Sequence, residues 1–182
     1  MTRPEPDLIP AWVDGQLQPV EKLAVHQRGL RHKAVSVFVL QGDRVLLQRR
    51  AKGKYHSPGL WANTCCTHPA WAEPAEACAR RRLGQELGLQ GLALQPAGQV
   101  EYRADVGQGL IEHELVDVFV ARVAVRPELA PDPAEVAETR WTQIAALTAD
   151  LAANPHRYAA WLRIYLEGHR DQIFGVIYKP AV

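Results

Sequence analysis

The chain has 182 residues, long enough for one domain with a core of its own and no need of disulfides or a structural metal. Apolar residues make up 47% and charged residues 23%, and the net charge is +1, which lacks the basic excess of a nucleic-acid or anionic-membrane binder. Cys65, Cys66 and Cys78 spell no disulfide framework, and no secretory signal or membrane-length apolar run is present, so the expectation is a cytoplasmic protein with reduced thiols.

In chain order, residues 1–7 open a Pro-rich stretch expected to be poorly ordered. Leu8 to Val13 and Leu17 to Leu23 flank Asp14-Gly15 and predict a short hairpin. Ala34 to Leu40 is a dense apolar run that predicts a strand buried on both faces. The turn Gln41-Gly42-Asp43 leads into a second strand, Val45 to Arg50. Residues 51–72 form a long irregular loop carrying Trp61, Trp71, two cysteines and two histidines, and long loops of this kind tend to be functional. Ala75, Ala79, Leu83 and Leu87 repeat at helical spacing between Pro74 and Gly88, which predicts a helix from about Pro74 to Leu87.

Further strands are expected at Val100 to Ala104 and Leu110 to Val125, with a short edge strand at Thr139 to Trp141. Helices are expected at Ile144 to Ala153 and His156 to His169. Residues 171–182 carry no legible pattern. No internal repeat interrupts the chain, so 1–182 reads as a single domain.

Basic residues gather at Arg49-Arg50, Lys52, Lys54 and Arg80 to Arg82, a pattern that suits a small anionic ligand better than a long polyanion. Glu112 and Glu114 are two apart in a strand and share one face, which turns His113 the other way. Taken alone, a buried cysteine is more often apolar filler than an acid, and isolated histidines are more often surface or core residues than ligands. His56, His113, His156 and His169 are read in that plain sense.

Thr67 to Glu73, followed after seven residues by Arg81-Arg82-Leu83-Gly84-Gln85-Glu86-Leu87-Gly88-Leu89, resembles the Nudix signature. Glu73, Arg81, Leu83, Glu86, Gly88 and Leu89 match it; Thr67 stands where the signature has glycine, and Arg82 and Gln85 stand where it has glutamates. Hydrolysis on that scaffold needs several carboxylates on one helix face to hold divalent ions. Glu86 alone suits one magnesium ion already bridged by substrate phosphates. Trp61-Ala62-Asn63-Thr64-Cys65-Cys66-Thr67-His68-Pro69, Glu101-Tyr102-Arg103 with Glu112-His113-Glu114, and His26 with His32 are similar to segments of the type I isopentenyl-diphosphate isomerases.

That resemblance runs from about residue 8 to about residue 170 and implies a Nudix-like α/β/α sandwich, an α/β (α+β) fold with a mixed sheet flanked by helices. It implies a soluble enzyme, monomeric or weakly dimeric, that interconverts isopentenyl and dimethylallyl diphosphate through a carbocation-like intermediate. Cys66 and Glu114 would be the acid and base on opposite faces of the substrate, in an order the sequence leaves open, with Tyr102 beside Glu114. His26, His32, His68, Glu112 and Glu114 would hold one divalent metal, manganese or zinc, although the gap from His26 to His32 is short for the family. Glu86 would hold magnesium; Lys22, Arg50, Lys54 and Arg82 would contact the diphosphate; Trp161 would face the cation and Trp61 would wall the pocket. Two other readings compete: a Nudix pyrophosphohydrolase acting on nucleotides, and a catalytically inactive module that senses prenyl diphosphates.

Overall fold

A computed structural model describes residues 7–175. Of residues 1–7, expected to be poorly ordered, 1–6 lie outside the described residues, as do 176–182, whereas the Asp7 carbonyl accepts from the Lys22 N–H at 2.9 Å. The first elements are strands β1 (Leu8–Val13) and β2 (Gln16–Glu21), the predicted hairpin, with Asp14 and Gly15 both at positive φ in its turn. Where the sequence pattern carried the strand on to Leu23, the chain instead enters helix α1 (Lys22–Arg28). The Glu21 carboxylate causes the switch, accepting from the backbone N–H groups of Leu23 (2.9 Å) and Ala24 (2.8 Å).

Strand β3 (Arg31–Gln41) is the spine of a nine-stranded mixed sheet. Along one edge it pairs in parallel with β8 (Ile111–Arg122), from Arg31↔His113 to Leu40↔Arg122. Along its length it also meets, antiparallel, β1 at His32, β6 (Cys65–Thr67) at Val35 to Val37, and β4 (Arg44–Arg50) at Leu40 and Gln41. Strand β5 (Trp61–Ala62) pairs with β4, so the expected irregular loop contains two short strands. Strand β7 (Gln95–Asp105) flanks β8, and β9 (Val136–Gln143) flanks β4. Both are longer than the sequence pattern suggested; in β7, Pro96 and a glycine at φ +86, Gly98, mark a bulge and mask the alternation.

The density of β3 is explained by two cores. Val35, Val37 and Val39 pack on one face with helix α2 (Ala75–Leu87), whose Leu83 and Leu87 are buried there. Ala34, Phe38 and Leu40 pack on the other face with helices α3 (Ile144–Ala153), α4 (Ala160–Gly168) and α5 (Arg170–Phe174). The expected helix from His156 is broken: a 3₁₀ turn at Pro155–Arg157 and extended backbone at Tyr158 and Ala159 precede α4. Part of the unassigned tail, up to Phe174, is the helix α5. Helix α2 stops at Gly88 in the left-handed region, φ +70, where a Cβ would also lie 2.8 Å from that of Ala130. Among the described residues, no helix is long and apolar enough to cross a membrane.

Candidate active site and metal centre

Strand register brings the candidate residues together. On β8, Glu112 and Glu114 are both buried while His113 turns away toward Glu101, 3.7 Å distant. Glu114 is flanked in the sheet by His32 on β3 and by Tyr102 on β7. The Tyr102 hydroxyl lies 2.6 Å from Glu114 Oε2 and 3.0 Å from Glu112 Oε2. A phenol has one proton to donate, and the shorter contact takes it. Burial and the negative charge of Glu114 push Glu112 well above the usual carboxylate range. Burial alone would also raise Glu114, but the His32 and His68 imidazoles beside it outweigh that and hold the carboxylate low.

Strand β6 separates the adjacent cysteines. Cys65 packs in the core beneath α2, whereas Cys66 turns to the opposite face, beside Ser36 in register. Burial, with Glu114 and Glu112 nearby, pushes the Cys66 thiol well up. The Ser36 hydroxyl donates to the Cys66 sulfur (3.3 Å) and accepts from the Tyr165 hydroxyl (2.9 Å), a buried chain that the sequence pattern does not announce. Cys66 and Glu114 line the same pocket, together with Glu112, His68, Trp161 and the cations Lys22, Arg50, Lys54 and Arg82.

Two of the three expected imidazole ligands are oriented alike. Nδ1 of His26 lies 2.7 Å from the Lys22 carbonyl and Nδ1 of His32 lies 2.7 Å from the Leu30 carbonyl. Donation from Nδ1–H leaves a lone pair on each Nε2. His32 Nε2 and His68 Nε2 are 3.2 Å apart, and His26 Nε2 is buried with no hydrogen-bond partner. Burial pulls His26 down to about 4 and His68 well below its usual range, which keeps both rings neutral. Ligating atoms of His26, His32, His68 and Glu114 lie within 4.8 Å of one another, and so do those of His26, His56 and Glu112. Neutral imidazoles converging beside carboxylates fit a borderline divalent cation.

At the other end of the pocket, Glu86 on α2 accepts from Gln48 (2.9 Å) and from Arg82 (2.7 Å). Arg82 also lies 3.2 Å from Glu135, which holds Lys54 at 2.5 Å. Lys22 lies 3.5 Å from Asp7, and Arg50 donates to the His56 carbonyl (3.1 Å). Arg81 grips Glu73 through two contacts of 2.7 Å, so the matched ends of the signature are tied together. The indole N–H of Trp161 donates to Asn63 (3.1 Å), and the Arg50 guanidinium lies 5.3 Å from its ring centroid.

Tyr102, His26, His32 and Trp61 do not line the pocket; Tyr102 and His32 stand directly behind Glu114 and His26 beside them, whereas Trp61 is turned elsewhere. Its ring lies against Arg140, 4.4 Å from the centroid, and its carbonyl accepts from the N–H of Ala159 just before α4. It therefore fixes the approach of the helix that carries Trp161. Sequence reasoning missed Ser36, Gln48, His56, Glu135 and Tyr165. Ser36 lies inside an apolar run, and Gln48, Glu135 and Tyr165 stand in ordinary amphipathic contexts. Only His56, two residues after Lys54, carried a signal, since a histidine in a long functional loop is a ligand candidate.

A NUDIX domain matches residues 30–162. The chain is 62% identical over 170 residues to an isopentenyl-diphosphate Delta-isomerase of Cereibacter sphaeroides, covering 93% of this chain and 96% of that one. It is 62% identical over 168 residues to the isopentenyl-diphosphate Delta-isomerase of Rhodobacter capsulatus, covering 92% and 96%. Among solved structures, DR0079 from Deinococcus radiodurans is similar with a TM-score of 0.64 at 15% identity, over 81% of this chain and 89% of that one. A MutT NUDIX hydrolase from Burkholderia pseudomallei is similar with a TM-score of 0.60 at 21% identity, over 76% and 98%. These two likenesses speak for the fold alone.

Proposed function

We propose that this pocket performs the reaction of the family to which the chain belongs, the isopentenyl-diphosphate Delta-isomerases on a NUDIX domain. The chain is an isomerase of isoprenoid biosynthesis that interconverts isopentenyl diphosphate and dimethylallyl diphosphate. The observation that carries the site assignment is the pairing of Cys66 and Glu114 in one pocket with opposite displacements of their acidity, the thiol up and the carboxylate down.

The reaction needs a proton added at the terminal alkene carbon and another removed from the allylic carbon across the developing cation. The alkene π pair forms the new C–H bond, the positive charge falls on the tertiary carbon, and the allylic C–H pair becomes the new double bond. Cys66 and Glu114 divide these transfers between them, one giving and one receiving. Reversal exchanges their parts, so each group serves as both acid and base over the two directions. Tyr102 positions Glu114 through its 2.6 Å contact. Ser36 orients Cys66, because its own proton points at the sulfur and leaves the thiol hydrogen to the pocket.

Trp161 offers a ring face to the cation, which it stabilises without capturing it. Lys22, Arg50, Lys54 and Arg82 bind the diphosphate, with Lys22, Lys54 and Arg82 exchanging carboxylate partners, and Arg50 the His56 carbonyl, for phosphate oxygens. His26, His32, His68, Glu112 and Glu114 would hold zinc or manganese, and Glu86 would hold magnesium with the diphosphate. Such ions supply charge neutralisation at the carboxylates and at the phosphates. The protein is assigned to the cytoplasm, as a monomer or weak homodimer.

Incubation with labelled isopentenyl diphosphate tests the assignment: an acid-labile dimethylallyl product is expected in wild type and absent in Cys66→Ala and Glu114→Gln. Full activity in either variant removes that residue from the mechanism. Release of phosphate or nucleoside monophosphate from a nucleoside diphosphate at enzyme-like rates would favour a hydrolase instead.

A further inference from the structure

His56 lies in the loop between β4 and β5, 4% exposed, with its ring stacked on His26 at 5.5 Å between centroids and 24° between planes. Its Nε2 is 3.6 Å from Glu112 Oε1, and its Nδ1 is buried with no hydrogen-bond partner. A buried polar nitrogen with no partner is costly and asks for an explanation. The ring is not there by default, because its backbone is pinned: Arg50 donates to the His56 carbonyl at 3.1 Å. Burial keeps the imidazole neutral, the form that ligates.

The ligating atoms of His56, His26 and Glu112 lie within 4.8 Å of one another, and His26 belongs equally to the group with His32, His68 and Glu114. Nδ1 of His26 is committed to the Lys22 carbonyl, so Nε2 is its one available donor. A single imidazole lone pair binds one ion, so the two groups cannot hold separate ions at the same time. They meet at His26.

We propose that His56 is a further ligand of that ion, giving a centre of four imidazoles and two carboxylates that favours zinc over manganese more than the five expected ligands would. The inference rests on the metal reading of the His/Glu cluster given above. Its chemical basis is donor type: imidazole suits zinc, whereas carboxylate and water suit manganese. Glu112 stands between His56, 3.6 Å from its Oε1, and Tyr102, 3.0 Å from its Oε2.

The test uses the intact protein stripped of metal and loaded with Co2+. Proton NMR of a cobalt-loaded centre shows one hyperfine-shifted exchangeable N–H signal for each coordinated imidazole. The buried Nδ1 positions of His26, His56 and His68 favour slow exchange of those protons. Four such signals are expected in wild type and three in His56→Gln. Three in both proteins overturns the role of His56 while leaving the metal reading intact. Fewer than three in wild type overturns both. Competition between Zn2+ and Mn2+ gives a second readout: the ratio of zinc to manganese affinity is expected to fall at least about ten-fold in His56→Gln and His56→Ala. An unchanged ratio in both variants, with thermal melting that shows them folded, likewise overturns the proposal.

Discussion

The hydroxyl of Ser36 lies 3.3 Å from the sulfur of Cys66, across the register that pairs β3 with β6. Tyr165 fills the acceptor side of that hydroxyl at 2.9 Å, so the serine proton has the sulfur as its partner. Ser36→Ala removes the contact and lets the thiol rotate. The expected result is a fall in kcat of about ten-fold with KM nearly unchanged, and a stability loss of about 1 kcal/mol, the usual worth of one such bond. Steady-state kinetics with urea unfolding checks both. A rise in KM at constant kcat would point to the diphosphate end instead.

The two adjacent cysteines separate stability from chemistry. Cys65 is fully buried in the core under α2, and Cys66 faces the pocket. Cys66→Ala should abolish isomerisation and leave the unfolding midpoint close to wild type. Cys65→Ser puts a hydroxyl into an apolar layer and should cost about 1–3 kcal/mol while leaving kcat largely intact. The opposite ranking in a paired measurement of turnover and denaturation would move the acid–base role to Cys65.

Much of this was legible before any coordinates because the signals were periodic or paired. The dense apolar run of β3, the Pro74 and Gly88 limits of α2, and the Glu112/Glu114 spacing all follow from backbone geometry. What escaped has physical causes too. Helix α1 hangs on a side-chain cap from Glu21, a residue that reads as the end of a strand. Strand β7 hides behind a proline and a glycine in its bulge. Ser36 and Tyr165 are 129 residues apart, and only the folded sheet with α4 laid across it makes them neighbours. The family resemblance implies Trp61 as a pocket wall, but its ring lies against Arg140.

Acid should unfold the metal-free protein through its buried imidazoles. Burial lowers His26 to about 4 and His56 to about 2, both below the unfolded value of about 6.5. Below that value the unfolded chain takes up protons that the folded chain refuses. Stability from these rings is therefore complete above about pH 6.5 and drains away as pH falls toward 4. Glu114, held low, adds a loss in the same direction below its unfolded value, while Glu112, raised by burial, opposes it. Urea midpoints in chelator are expected to fall between about pH 7.5 and 5, with a flatter slope in His56→Gln. A midpoint constant over that interval would show that the rings are not buried as neutral groups.

Two metal requirements should separate by kinetic parameter. Glu86 sits with Arg82 and Gln48 at the cationic end of the pocket, whereas Glu114 sits with His32 and His68 at the end that holds Cys66 and Tyr102. Glu86→Gln keeps the shape and an acceptor for Arg82 but removes the negative charge that would hold magnesium with the diphosphate. KM for isopentenyl diphosphate is expected to rise about ten-fold or more and to lose most of its dependence on Mg2+, with a smaller change in kcat. His32→Ala, by contrast, removes an imidazole beside Glu114 and should lower kcat at any magnesium concentration. Titrating magnesium against each variant distinguishes them, because the diphosphate is bound in both ground and transition states while the carboxylate acts only as the proton moves. If Glu86→Gln follows the wild-type magnesium curve, the ion that accompanies the substrate is held elsewhere, and Glu135, 3.2 Å from the same Arg82, becomes the carboxylate to replace next.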